Sequence, residues 1–505
     1  MRMVDPRMTT ESTKDADNPV WVSLAFAVVL ATTLFRVLVV VSSPLPLFFD
    51  EAQYWTWAQD LTFGYYSKPP VIAWAIAGTT ALCGDGEGCV RLSAPLFHGG
   101  TSMIIFFIAK ALYDERAGFW AAVTFALLPA VSLSGMIVST DVYLLFFWSL
   151  ALLAIIRAEG TDRWAWWGAF GFALGFGLLS KYAMAFFLMV IVVDSLWRRQ
   201  DSPVWRRYKF WCAIGLAAVI YLPNFVWNWS NGFPSYIHTG ENININGDLI
   251  NPIKALEFVA SQFGVFGPIL FTCFLALTVM LLVHRSANNT LTDVQRQLFS
   301  YSIPILGLIT FQAFVTRAHA NWAATAYVAA TVLVAAELLK RKRVNWLKGS
   351  LVLHVLAAVV LYNFDLIART FDIPITPGMD PARRMRGWDH AGNWASDLQR
   401  EMPGVKLLFD DRKVMSALTY YVKPHPFDAV MWNPTGKRNN HFELFTDITG
   451  SEGDDFLYVI RHDWPERAGS SFAKSKLVAT FRSRAYSSDA LELSAYLLSD
   501  FKGYE

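Results

Sequence analysis

Hydrophobic residues run in long blocks up to about residue 364 and in short groups after it. Blocks long enough to cross a ~30 Å hydrocarbon layer recur at about 20–41, 92–112, 117–133, 141–156, 164–180, 182–197, 210–228, 256–283, 298–316, 321–339 and 347–364, roughly eleven membrane spans. After Asp365 the pattern becomes that of a soluble domain. Val405-Lys406-Leu407-Leu408-Phe409 reads as a buried strand and 411–422 as a helix; 456–460 and 477–481 read as further strands, predicting a small α/β domain over 365–505. The predicted fold class is therefore an α-helical polytopic membrane protein, spans over 20–364, with a large loop at 42–91 after the first span.

Composition excludes a soluble globular protein, because 54% of the residues are hydrophobic and only 17% are charged. The net charge of +2, without a Gly-rich phosphate loop or a basic-aromatic tract, gives no basis for a nucleic-acid partner. The first block carries Arg36 and is not followed by a small-residue cleavage site, so it is expected to be a retained span behind a cytoplasmic tail, 1–19, whose first eighteen residues are expected to be disordered.

Lysine and arginine fix an expected orientation, since short loops rich in them stay cytoplasmic. Arg116, Arg157, Arg163, Arg198, Arg199, Arg206, Arg207, Lys209, Arg285, Arg296 and the run Lys340 to Lys348 fall on one side when the spans are counted in order. The loop 42–91 and the C-terminal domain then face outward, as expected for a multi-pass inner-membrane protein. The same count puts Asp50, Glu51, Lys68, Asp141, Lys181, His238, Glu241, Arg317 and His319 at the outer ends of spans or in outer loops. Ionisable groups at membrane depth are costly and usually face a protein interior or water, so this one-sided set is expected to line a cavity; each alone is equally readable as an interfacial snorkel.

Within the 42–91 loop, Asp50-Glu51 is followed by Tyr54, Trp55 and Trp57 at helical spacing, predicting a helix in the interface plane with its rings at headgroup level. Lys68 stands before Pro69-Pro70, which holds the backbone extended. Cys83 and Cys89 bracket Gly84-Asp85-Gly86-Glu87-Gly88 and are expected to form a disulfide in an oxidising compartment. No His-x-x-x-His or Cys-x-x-Cys pair stands at a useful place, so neither a tightly bound metal nor another cofactor is expected. Further on, the 230–250 stretch, rich in Asn and Gly, reads as a lid or a plain surface loop bearing His238 and Glu241, and Arg317-Ala318-His319-Ala320-Asn321-Trp322 as a sugar- or phosphate-binding turn. A loop at 423–441 with Trp432-Asn433-Pro434, Lys437, Arg438 and His441 is a candidate acceptor contact.

The order Asp50-Glu51, Lys68-Pro69-Pro70, Arg91-Leu92-Ser93-Ala94-Pro95, Ser139-Thr140-Asp141, Leu179-Ser180-Lys181-Tyr182 resembles bacterial glycosyltransferase family 39, over roughly 20–340. These are GT-C fold enzymes similar to protein O-mannosyltransferases and to the aminoarabinose transferase that modifies lipid A. The resemblance implies a polyprenyl-phosphate-linked sugar donor and action on the outer face of the membrane. It implies Asp50 as the catalytic carboxylate, Lys68 as the contact to the lipid phosphate, Asp141 as a second acid and Lys181 as a basic residue near the donor. Gln53 stands where the aminoarabinose enzyme has Arg and Ser67 where Glu is usual, so that enzyme's sugar and acceptor are not carried over.

Chemistry leads to the same roles. Loss of a phosphate leaving group is eased by cations, here Lys68 with Lys181 and Arg317. A hydroxyl acceptor needs a base, here Asp50, and one base with an activated donor implies inversion. Glu51, Tyr54, Tyr66, Asp141, His238, Glu241, His319, Asn321 and Trp322 are the expected substrate contacts. Lipopolysaccharide core or lipid A is the expected acceptor and galacturonic acid, mannose or another hexose the expected sugar. A protein O-glycosyltransferase is the alternative, and a flippase or a scaffold the rival class. Transporter sites lie near the midplane, not at one face.

Overall fold

A computed structural model describes residues 19–198, 203–243, 250–283, 291–461, 466–483 and 491–504. The expected disordered stretch 1–18, together with Arg199, Arg285 and residues 244–249, lies outside the described residues. The chain divides into two compact units: the chain up to Val41 with Lys68–Ile72 and Arg91–Tyr362, and Ser42–Ser67 with Ala73–Val90 and everything from Asn363 onward. Most of the 42–91 loop thus belongs with the C-terminal segment, although the sequence had grouped it with the spans.

The first unit is helical throughout, and each of the eleven apolar blocks forms helix. Among the described residues six helices are long and apolar enough to cross a bilayer, including Val20–Ser42, Thr140–Thr161, Tyr208–Ser230 and Val344–Tyr362. Their surroundings differ. Thr140–Thr161 is the core helix, with Trp148, Ala151 and Leu152 shut off from solvent, whereas Leu38, Val219 and Val352 on the outer helices are more than half exposed. Apolar side chains exposed on that scale have lipid as their solvent, and the chain is a multi-pass membrane protein.

The expected single span over 256–283 is corrected. It is two helices, Pro252–Val265 and Pro268–Val283, bent by 120°. Gly267 sits in the left-handed region at φ +90°, which ends the first helix, and Pro268 starts the second. A side chain at Gly267 would strike the His354 imidazole, which packs into the bend.

In the second unit, five strands form a sheet ordered β2-β1-β3-β5-β4: β1 Lys406–Phe409, β2 Val430–Met431, β3 Phe456–Ile460, β4 Phe472–Arg482 and β5 Glu492–Phe501. β1 pairs parallel with β2 and β3, and β5 antiparallel with β3 and β4. Its core gathers Leu408, Trp432, Phe456, Tyr458, Phe472 and Leu498. Helices Trp388–Glu401 and Arg412–Tyr421 pack closely because Gly392 lies under Tyr421. A Cβ at Gly392 would sit 2.2 Å from the Tyr421 Cβ and 2.8 Å from its carbonyl carbon, which no side-chain rotation relieves. Gly392→Ala is therefore expected to destabilise this unit by about 1–3 kcal/mol, read as a lowered melting temperature of the full-length protein in detergent.

Candidate functional site

The first unit assembles its chemistry from helix ends. Thr140–Thr161 begins with Asp141, and Trp164–Ser180 is followed at once by Lys181. Each charge stands at the helix end its sign suits, the acid at an N-terminus and the cation at a C-terminus. Packed as an antiparallel pair, the two helices bring these ends together: Lys181 Nζ lies 2.6 Å from Asp141 Oδ1. Asn321 donates from Nδ2 to the other oxygen, Oδ2, at 2.8 Å. The 317–322 turn is thereby tied to the pair, and within it the His319 and Trp322 rings meet edge-on at 5.3 Å.

Three cations bear on His319. Partial burial, followed by the like charges of Arg317, Lys181 and Lys68, holds its imidazole below the ordinary histidine range, so it is neutral at physiological pH. Lys68, Lys181 and Arg317 come from three distant stretches of sequence, and Lys181 is paired with Asp141. Arg317 is exposed and forms no ion pair among the described residues. That exposed guanidinium is a group an anion could meet.

The opposite end of the unit has another character. Glu159, eighteen residues beyond Asp141 on the same helix, is ~27 Å away at the helical rise. Arg198 there bridges Glu159 and Asp194, and Lys209 binds Asp162 at 2.7 Å. Arg198 and Lys209 are thus held in ion pairs at the far end from Asp141 and Lys181.

His238 and Glu241 are placed differently from expectation. The expected loop is a helix, Pro234–Ile243, with both residues one turn apart and Glu241 exposed. What ties this helix down is a network that sequence reading missed. Tyr236 and Tyr221 share a hydrogen bond, Asn228 Oδ1 accepts the Ser235 N–H at 3.3 Å, and the Tyr182 hydroxyl donates to Asn224 at 3.3 Å. Tyr182 directly follows Lys181, so the network buttresses the cation. An apolar cavity of about 480 Å³ lies elsewhere in this unit, lined by Phe274, Ile303, Leu306, Phe311 and others.

In the second unit, Asp50 and Glu51 open the helix Phe49–Gln59. They are not two equivalent acids. Glu51 is buried and accepts the Phe48 N–H at 2.9 Å, closing the helix start. Asp50 receives Arg412 Nη1 on Oδ1 at 2.8 Å, and the same nitrogen donates to Gln53 Oε1. Among the described residues nothing donates to Asp50 Oδ2, and the side chain is 36% exposed. Arg412 was not singled out from sequence: a lone arginine inside a predicted helix carries no signal.

The expectation of a headgroup-level helix is corrected. Trp55 and Trp57 are fully buried, Trp55 packing edge-on against Tyr420 at 4.9 Å and Trp57 stacking on Tyr65 at 4.6 Å, so the aromatic run faces protein. Glu51, Tyr54 and Tyr66 are buried as well. In the 423–441 stretch Lys437 and Arg438 are exposed while two other members are packed inside. Trp432 belongs to the sheet core, and His441 lies among Trp57, Tyr65 and Phe445, where burial pushes its imidazole down to about 3. Cys83 and Cys89 are joined in a disulfide, and Asp85 between them accepts Trp55 Nε1–H at 2.9 Å. Among the described residues no three His, Cys, Asp or Glu side chains gather as metal ligands.

Comparison with known proteins agrees with this architecture. The family model for dolichyl-phosphate-mannose-protein mannosyltransferase matches residues 67–227. The chain is 32% identical over 434 residues to the lipid A galacturonosyltransferase RgtD of Rhizobium johnstonii, covering 84% of this chain and 88% of that one. A shorter stretch of 179 residues is 27% identical to the undecaprenyl phosphate-alpha-4-amino-4-deoxy-L-arabinose arabinosyl transferase 2 of Pseudomonas fluorescens, covering 34% of this chain and 32% of that one. The crystal structure of ArnT from Cupriavidus metallidurans in the apo state shares the fold, with a TM-score of 0.63 at 17% identity over 94% of this chain and 97% of that one. With a relative matched over nearly its whole length and the fold in common, the chain belongs to the bacterial family 39 glycosyltransferases, enzymes of GT-C fold.

Proposed function

We propose that the enzyme moves galacturonic acid from a polyprenyl-phosphate carrier to lipid A or the lipopolysaccharide core, on the outer face of the inner membrane. The observation that carries this reading is the Lys181–Asp141 pair, tied through Asn321 to the turn that presents the exposed Arg317, with Lys68 bearing electrostatically on His319 of the same turn. The RgtD match over nearly its full length favours galacturonic acid and lipid A over the other sugars and over a protein acceptor. What supports this orientation is that Arg198 and Lys209 lie at the end opposite Asp141, which the positive-inside rule assigns to the cytosol.

In the reaction an acceptor hydroxyl attacks the anomeric carbon and its proton passes to Asp50. The bond from that carbon to the phosphate oxygen breaks, with the electron pair leaving on the phosphate. Lys68 and Arg317 stabilise the charge that develops there, and Lys181, held by Asp141, adds to the field. One base acting with an activated donor implies inversion of the anomeric centre. The apolar cavity of about 480 Å³ suits part of a polyprenyl chain. We read the transfer as needing no tightly bound metal, since the side-chain cations meet the leaving phosphate directly. Mass spectrometry of envelope glycolipids from cells with and without the gene is the test. The expected result is loss of a hexuronic acid from lipid A or core; an unchanged glycolipid profile overturns the assignment.

A further inference from the structure

We propose that Arg412, supplied by the C-terminal segment, is a positioning residue for the transfer: its guanidinium holds one oxygen of Asp50 and leaves the other open to the acceptor hydroxyl. This rests on the reading of Asp50 as the base.

The sequence of the helix Arg412–Tyr421 raises the question. Asp411 caps it, accepting the Lys413 N–H at 2.5 Å, but its first turn then carries Arg412 and Lys413. Cations at a helix N-terminus cost about 0.3–1 kcal/mol each against the dipole. These two charges are therefore not there for the helix, and the compensation is found outside it. Asp50 and Gln53, three residues apart, share one face of Phe49–Gln59, and the two hydrogens of Arg412 Nη1 are divided between them. The guanidinium carbon lies 5.4 Å from the Phe49 ring centroid, and Lys413 Nζ lies 5.5 Å from the same ring.

Both helices are held independently of this contact. The Tyr421 hydroxyl accepts the Leu47 N–H at 2.6 Å and donates to Glu87 Oε1 at 3.2 Å, while the Tyr420 hydroxyl donates to the Asp85 carbonyl. Arg412 thus reaches Asp50 from a fixed base. A guanidinium against a carboxylate does not make it a stronger base, so the gain lies in geometry: with Oδ1 tied, the rotation that would turn Oδ2 away from the acceptor is blocked. Misplacement of a reacting group by about 1 Å costs on the order of 10²-fold in rate.

The test uses the full-length protein in detergent with undecaprenyl-phosphate-linked galacturonic acid and lipid A. Arg412→Ala is expected to lower kcat by about 10²-fold with KM for the donor within about twofold. Arg412→Lys is expected to recover part of the rate, and added guanidinium ion to rescue Arg412→Ala. Tyr421→Phe, which loosens the same docking without touching Asp50, is expected to lower the melting temperature and keep kcat. Unchanged kcat in Arg412→Ala, or an equal loss in Tyr421→Phe, overturns the proposal while leaving Asp50 as the base. Full turnover by Asp50→Asn overturns the base assignment itself, so the two failures are distinguishable.

Discussion

Asp50→Asn is expected to reduce transfer by about 10³-fold while leaving the protein folded and able to bind its lipid donor. The fold should survive because the substitution is isosteric and the amide oxygen still accepts from Arg412, so neither Arg412 nor Gln53 loses its partner. Donor binding should survive because the cations that bear on His319 belong to the helical unit and are untouched. What is lost is the lone pair that receives the acceptor proton. The measurement is single-turnover transfer alongside a binding titration with undecaprenyl phosphate. A variant that binds and transfers normally removes the base from Asp50. One that loses binding and transfer together makes Asp50 part of donor recognition. The same variant separates reaction classes, since a flippase or scaffold is indifferent to a missing base whereas a transferase is not.

Much of this arrangement was legible in the sequence, and the reasons it was not complete are local. Asp141 and Lys181 were readable because each stands next to an apolar block, where a charge is expensive and therefore conspicuous. The 317–322 turn was readable for the same reason. β5 was missed: Leu493 and Ala495 are buried on one face and Leu498 on the other, because the strand lies between β3 and β4, so no alternation marks it. The helix Trp388–Glu401 was missed because between Trp388 and Leu398 its buried face is built from Ala391, Gly392, Ala395 and Ser396, which carry little hydrophobic signal. The aromatic run after Asp50 was misplaced because rings at helical spacing look alike whether they meet headgroups or Tyr420 and His441. Composition does not tell a lipid neighbour from a protein one, and only the second unit's packing does. Arg412 was beyond reach of any pattern, since its partner lies 362 residues away.

Arg317→Gln is expected to cost more than Lys181→Gln, lowering transfer by about 10²–10³-fold and weakening undecaprenyl phosphate binding. Lys181 already spends its charge on Asp141 at 2.6 Å, with Asn321 fixing that acid from the other side, so an incoming phosphate gains less from it. Arg317 is exposed, has no ion pair among the described residues, and presents a planar fork matched to phosphate oxygens. Its charge also depresses protonation of His319, which remains a neutral hydrogen-bonding group beside the anion. The expected order of loss on neutralisation is therefore Arg317→Gln above Lys181→Gln, and the binding defect of Arg317→Gln should shrink as salt screens the pocket. Lys181→Gln costing more than Arg317→Gln would mean that the ion pair, not the exposed guanidinium, receives the phosphate. The exposed Arg317 would then be a feature of the turn and not the donor site.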